Sequence, residues 1–247
     1  RRVLGAALTE EGAHMRASRA RSGALGVPAE RPRGVRGEAS ARPMLIAIEG
    51  LDQSGKATQA QLLRDQLRQG GTRARLVSFP DYGTSIGEEI ARALQGEREY
   101  GPEVMQLLYI ANRYERKADL ERWLDGGLVV VCDRYVASSV AYGEAQGLDV
   151  DWLTQTQRFL PVSDLTILLD IAPELAVARK AKGRDRYERD LSLLGRVRDS
   201  YVHQAEQAGW IRVDGDRGKA DVAAENPSSN TSQASAPPAS ASRYSTR

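Results

Sequence analysis

Apolar positions along the chain switch repeatedly between a run and a helical period, and each switch marks an element. Leu45-Ile46-Ala47-Ile48 is a short apolar run of the kind a buried strand makes, and Ala60, Leu63 and Leu67 then recur at helical spacing as far as Gly70-Gly71. Arg75–Phe79 predicts a second strand, and Ile86, Ile90 and Leu94 predict a helix that ends near Gly96. One long helix is predicted from Pro102 to Leu124, with Val104, Leu107, Leu108 and Ala111 turned to the core. Leu128–Cys132 is apolar throughout, as expected of a central parallel strand covered on both faces. Helices at about 136–146 and 149–159 lead to another apolar strand, Leu165–Ile171. A helix after Pro173, a charged run at 179–190, a helix to about Ala208 and a strand at Trp210–Val213 complete the pattern.

Strands spaced by helices specify an α/β fold: a five-stranded parallel sheet with helices on both faces, in three layers. Ligands in such sheets sit beyond the carboxyl ends of the strands. Gly50–Lys56, Phe79-Pro80 and Asp133-Arg134-Tyr135 all fall there.

The ends of the chain read differently. Residues 1–43 are rich in Arg, Ala and Gly, without sustained periodicity, and are expected to be disordered. They read as a non-native or upstream-translated extension; a transit peptide is the other reading, weakened by four Glu. The folded domain is expected at 44–224. Residues 225–247 form a low-complexity tail of Ser, Ala, Pro and Asn, which would cut off a final helix starting near Lys219. Of the net charge of +2, residues 1–43 carry +5 and the tail +1, which leaves the domain near −4. That balance argues against a coat for nucleic acid. No run reaches the roughly eighteen apolar residues that a membrane helix needs. The single Cys132 cannot form an internal disulfide, which suits a reducing, cytoplasmic home, and its apolar neighbours make it a buried small residue. With only His14 and His203, no Cys/His cluster offers a zinc site.

Glu49-Gly50-Leu51-Asp52-Gln53-Ser54-Gly55-Lys56 joins the first strand to the first helix. A strand, a glycine-bracketed turn and a lysine at a helix start make the P-loop arrangement, in which backbone N–H groups turn inward around a phosphate. Lys56 adds a point charge and the helix its positive end. The next residue, normally Ser or Thr, is Ala57; Thr58 follows but points about 100° further round the helix.

Other residues carry weaker signals. Asp133 ends the central strand, either as a Walker-B-like magnesium carboxylate or as a cap for the following helix. Arg134, Ser138 and Tyr142 recur at spacing four, a set that reads a phosphate, a base and a sugar or is an ordinary polar face. Tyr109 and Arg113 lie one turn apart, away from the expected core face, as an aromatic plate beside a guanidinium. Arg179, Lys180, Lys182, Arg184, Arg186 and Arg189 form either a solvated face or a basic segment that closes over phosphates.

Taken together, EGLDQSGKATQ, FPDYGTSIG, ANRYE, CDRYVASSVAYG, LPVSDLTILLDI and GRDRYERD resemble the thymidylate kinase family, over about 44–222. The resemblance implies Mg²⁺-dependent transfer of the ATP γ-phosphoryl to dTMP, giving dTDP and ADP for dTTP synthesis. It implies an ATP site at Gly50, Asp52, Gln53, Ser54, Gly55, Lys56, Ala57 and Thr58. It implies a dTMP site in which Asp52 contacts the sugar and Arg134 binds the monophosphate. Tyr109 would stack on thymine, Arg113 would hydrogen-bond to it, and Phe79, Pro80, Ser138 and Ser139 would line the pocket. Tyr142 would crowd a ribose 2′-hydroxyl. Metal contacts are implied for Asp52 and Asp133, and catalysis for Lys56, Asp52, Arg134, Arg186 and Arg184. Glu188 resembles the lid carboxylate, and members are usually homodimers. Three departures stand out: Ala57 lacks the usual hydroxyl, Gln53 stands where some members carry a catalytic arginine, and FPDY lacks a basic residue after Phe-Pro. The alternatives are a kinase for another deoxynucleotide and a nucleotide-binding protein of this fold with impaired turnover.

Overall fold

The computed structural model describes residues 42–179 and 190–217. The expected extension up to residue 41, the tail, and the segment holding Arg184, Arg186 and Glu188 lie outside the described residues. Five strands, β1 (Met44–Glu49), β2 (Ala74–Ser78), β3 (Val129–Asp133), β4 (Leu165–Asp170) and β5 (Trp210–Asp214), form one sheet in the order β2-β3-β1-β4-β5. All pairings are parallel, with Leu45 beside Val130 and Ile46 beside Leu165. Composition decides the order. β1, β3 and β4 are apolar along nearly their whole length and take the three central places, buried on both faces. β2 and β5 carry exposed polar residues such as Arg75, Ser78 and Arg212, and stand at the edges.

The eight described helices are α1 (Lys56–Gln69), α2 (Ser85–Gln95), α3 (Pro102–Glu115), α4 (Lys117–Asp125), α5 (Val136–Ala145), α6 (Val150–Thr156), α7 (Pro173–Arg179) and α8 (Leu191–Gln204). The pleat splits β1 between two cores. Ile46 and Ile48 pack with Ala60, Leu63 and Leu67 of α1, while Leu45 and Ala47 face Leu120, Tyr135 and Leu160. A further cluster joins Leu51 and Leu168 to Leu194, Val197 and Tyr201 of α8. Leu63→Ala is expected to cost about 2–5 kcal/mol, the usual price of a cavity in so tight a layer.

Two expectations fail on the third layer. The predicted helix from Pro102 to Leu124 is two helices that meet at Arg116, whose N–H bonds to Arg113 O at 3.1 Å and whose guanidinium is held by Asp81 and Asp119. The buried side of α3 is Met105, Gln106, Ile110, Asn112 and Arg113. Val104 and Leu107, expected in the core, are each 43% exposed. Smaller differences move strand ends by one residue, and α8 stops at Gln204 rather than near Ala208.

Because β3 and β4 lie on opposite sides of β1, the chain reverses its direction of sheet growth at β1. The crevice such a switch opens lies at the carboxyl end of that strand.

Candidate active site

The loop after β1 is built from backbone angles that most residues avoid. Gly50 has φ 139°, and a Cβ on it would lie 2.4 Å from Leu169 O, so only glycine passes between the sheet and the loop. Gln53 has φ 63°, and Gly55, the N-cap of α1, has φ 96°. Lys56 opens α1 and turns back under the loop, where its Nζ donates to Leu51 O at 2.7 Å and lies 3.9 Å from Asp52 Oδ1. Burial brings the Lys56 ammonium down to about 8, with Arg134 pushing the same way and Asp52, Asp133 and Glu49 opposing. Ser54 Oγ, also buried, has no partner among the described residues.

β3 delivers Arg134 beside this loop. Its N–H donates to Ile48 O at 2.9 Å, which holds the residue at φ 65° before α5 starts. One guanidinium nitrogen, Nη2, pairs with Asp52 Oδ1 at 2.6 Å and donates to Tyr142 OH at 3.4 Å. The other, Nη1, donates to Gly50 O, Ser138 Oγ and Tyr201 OH at 3.1–3.3 Å. Tyr142 OH donates in turn to Asp52 Oδ2 at 3.1 Å, and the guanidinium lies 5.4 Å from the Tyr142 ring centroid. Burial alone would raise the Asp52 carboxyl, but the charges of Arg134 and Lys56 outweigh it and hold Asp52 well below the usual carboxylate range. Asp133 moves the other way: burial raises it, and Lys56 and Arg134 only partly offset that.

A cleft of about 110 Å³ opens from this ion pair. Asp52, Arg134, Ser138 and Tyr142 line it together with Tyr109, Phe79 and Pro80, the last two joined by a cis peptide bond. Arg113 and Ser139 lie deeper: Arg113 Nη1 donates to Ser139 Oγ at 2.7 Å and to Gln157 Oε1 at 3.2 Å, and its Nε has no partner among the described residues. The loop behind Pro80 is fastened to α3, since Asp81 N–H donates to Asn112 Oδ1 at 2.7 Å and Asn112 Nδ2 donates to Thr84 Oγ1 at 2.8 Å. Gly87, in the first turn of α2, lies so near Asp81 O that no Cβ fits there.

Every residue expected for dTMP lines this cleft, and the loop expected for ATP adjoins it through Asp52, while Arg184 and Arg186 fall outside the described residues. It corrects the placement of Arg113, which is 3% exposed rather than on an outer face. Ala57 is exposed and Thr58 half-buried at the start of α1. Several residues of the site escape the sequence. Gln106 and Leu94 line the cleft, and Gln106 Oε1 is buried without a partner among the described residues. Gln106 stands seven positions before Arg113 on the same helix face, a spacing that marks it once Arg113 is known to point inward. Arg179, at the end of α7, donates to Gln53 O at 3.3 Å and so reaches the loop. Glu49, fully buried, accepts from Tyr135 N–H, Ser138 N–H, Ser138 Oγ and Tyr201 OH.

For a metal, the described residues hold no cluster of three or more His, Cys, Asp or Glu. Asp52 lies 3.9 Å from Lys56 Nζ, and the charge of Asp133, at the end of β3, also acts on that lysine. A pair of hard oxygen donors suits magnesium, which keeps several waters and is commonly carried by one or two carboxylates and substrate phosphates.

Comparison with known proteins agrees with this geometry. The family model described as Thymidylate kinase matches residues 48–226. The thymidylate kinase of Schizosaccharomyces pombe is 40% identical over 148 residues, covering 60% of this chain and 70% of the relative. That of Arabidopsis thaliana is 40% identical over 158 residues, covering 63% of this chain and 60% of the relative. That of Plasmodium falciparum is 34% identical over 178 residues, covering 72% of this chain and 84% of the relative. The solved thymidylate kinase of Candida albicans superposes with a TM-score of 0.63 at 32% identity, covering 71% of this chain and 85% of that one.

Proposed function

The chain belongs to the thymidylate kinase family, and from that premise we propose that its cleft takes dTMP while its glycine-bracketed loop takes the phosphates of ATP. The reaction is in-line transfer of the γ-phosphoryl to the dTMP phosphate, giving dTDP and ADP. The observation that carries this reading is the Asp52–Arg134 pair, 2.6 Å apart, where the anion-binding loop and the base-sized cleft meet. Two phosphates held on either side of that pair can place a dTMP phosphate oxygen against the γ-phosphorus, opposite the bridging oxygen that leaves with ADP, which is what such a transfer requires.

Each residue then has a task. Loop N–H groups from Gly50 to Lys56, followed by Ala57 and Thr58, cradle the ATP phosphates, and Lys56 supplies a charge. Arg134 takes the monophosphate, and Asp52 turns from Arg134 towards the sugar and the metal shell. Tyr109 stacks on the thymine between the wall of Phe79 and Pro80, and Arg113 donates to it with Ser139 beside. Tyr142 fills the space a ribose 2′-hydroxyl would need. When bound, Mg²⁺ neutralises the developing phosphate charge, and Asp52 and Asp133 are the residues that would hold it. The loop carries no cationic side chain besides Lys56, since Gln53 stands where some members of the family carry an arginine. Arg186 is assigned the transition-state contact, with Arg184 as its neighbour in that role.

The same reading extends to the whole protein. Val104 and Leu107 are exposed on α3 with half-buried Leu108 and Ala111 beside them, the kind of surface a homodimer covers. The lone, buried Cys132 fits a reducing cytoplasm, and no described helix is long and apolar enough to cross a membrane. The direct test is chromatography of a mixture of the protein, ATP, dTMP and Mg²⁺. Equal amounts of dTDP and ADP are expected, and nucleotide binding without dTDP would instead assign a binding protein.

A further inference from the structure

Behind Arg134 lies a hydrogen-bond chain that none of the substrate contacts requires. Glu49, with no exposed surface, accepts among the described residues from Tyr135 N–H at 2.7 Å, Ser138 N–H at 3.3 Å, Ser138 Oγ at 2.6 Å and Tyr201 OH at 3.1 Å. An ionised carboxylate only accepts, so a hydroxyl bonded to it must be the donor. Ser138 Oγ, 2.6 Å from Glu49, points its hydrogen there; Tyr201 OH, 3.1 Å from Glu49 and 2.9 Å from Ser138 Oγ, donates to one or the other, and in either case both oxygens keep lone pairs facing Arg134 Nη1, at 3.1 and 3.2 Å. Burial, reinforced by Glu49, pushes the Tyr201 phenol up, so it stays an O–H donor.

We propose that Glu49 and Tyr201 are positioning residues for Arg134: the buried carboxylate orients two hydroxyls so that their oxygens grip one side of the guanidinium. That grip matters because Arg134 sits at φ 65°, a backbone geometry rarely held by a residue with a long side chain. The flexible arm is tied by Nη1 to Gly50 O, Ser138 and Tyr201, while Nη2 points at Asp52 and the cleft. Tyr201 comes from α8, far along the chain, so the last described helix is fastened to the substrate arginine through a single phenol. A guanidinium fixed before the phosphate arrives loses less freedom on binding it.

The inference rests on the reading that Arg134 binds the dTMP phosphate, and the test separates the two. Calorimetry on the full chain measures dTMP and ATP affinity for wild type, Arg134→Ala, Tyr201→Phe, Glu49→Gln and Tyr135→Phe. Tyr201→Phe keeps the ring that packs in the core and removes one acceptor of a charged donor, so dTMP should weaken about tenfold while ATP affinity holds within about twofold. Glu49→Gln must place an NH₂ against backbone donors or against the two hydroxyls, turning their hydrogens towards Arg134. It should weaken dTMP at least as much, and it carries the test if Tyr201→Phe fails to fold. Tyr135→Phe removes a phenol bonded to Pro161 O instead, at 2.8 Å, and should leave both affinities unchanged. In an Arg134→Ala background, Tyr201→Phe should have no further effect on dTMP.

If Arg134→Ala leaves dTMP affinity intact, the substrate reading fails. If Arg134→Ala weakens dTMP but Tyr201→Phe and Glu49→Gln do not, the positioning role alone is overturned. Equal weakening of ATP and dTMP, or a Tyr135→Phe effect as large as that of Tyr201→Phe, would also overturn it in favour of a general packing effect.

Discussion

Lys56 shows how far a single side chain can set the behaviour of the site. Its ammonium titrates near 8 because it is buried beside Arg134, and the protonated form is the one that attracts phosphate. The kcat/KM for ATP, which reports the free enzyme, should therefore fall as pH rises through about 8. The kcat itself should hold to higher pH, since a bound polyphosphate raises the lysine again. Coincident pH profiles for the two parameters would contradict this. Gln53 tests the backbone instead. A side chain at φ 63° costs about 1–2 kcal/mol, partly offset by the ~0.5–1 kcal/mol of extra chain entropy a glycine brings to the unfolded state. Gln53→Gly should raise Tm by about 1–3 °C, whereas a loop already relaxed around Gln53 would show a fall. The P-loop residues were legible in sequence because their signal is local, a spacing within one turn. Glu49 was not: its donors lie on α5 and α8, 89 and 152 residues away in the case of Ser138 and Tyr201. Only the fold creates its environment.

At the scale of elements, the apolar runs of β1, β3 and β4 place themselves correctly because a strand that is apolar on both faces has only central positions to occupy. α3 defeats the same reasoning. Two stripes run along it, and the more apolar one, through Val104 and Leu107, faces outward. The side that packs inward carries Gln106, Asn112 and Arg113, which the cleft and the Asp81 loop need. Periodicity finds an apolar face but does not say whether protein core, partner or solvent covers it. Asp170 offers a test of how elements are joined. Its carboxylate ends β4 and accepts from Arg198 of α8 at 2.7 Å and Arg212 of β5 at 2.6 Å. Burial alone would raise this carboxyl, but the hydrogen bonds and charges of the two arginines lower it. Its stabilising contribution is therefore present above the ordinary carboxylate value of about 4 and is lost as pH falls through the lower folded one. Asp170→Asn should cost about 1–3 kcal/mol at neutral pH, and its melting curve should converge with that of wild type in acid. Curves that stay parallel would show that the carboxylate charge contributes nothing.

For the whole molecule, the outward apolar side chains of α3 and several residues of the cleft lie on the same helix, so the proposed dimer surface and the proposed substrate site share one element. Leu107→Asp should convert a dimer to a monomer by light scattering while leaving Tm within a few degrees, because residue 107 is 43% exposed in the single chain. A wild-type chain that is already monomeric at micromolar concentration would remove the homodimer. The property that would most define the proposed site is its choice of dTMP as phosphoryl acceptor. Its most direct measurement is coupled ADP release with dTMP, dUMP, dCMP, ribothymidine monophosphate and AMP, each with Mg²⁺ and ATP. The highest kcat/KM is expected for dTMP and a lower value for its ribo counterpart, with that gap narrowed by Tyr142→Ala. Equal or better turnover of dCMP or AMP would contradict it, and no ADP release with any acceptor would reduce the site to one that binds nucleotides without turning them over.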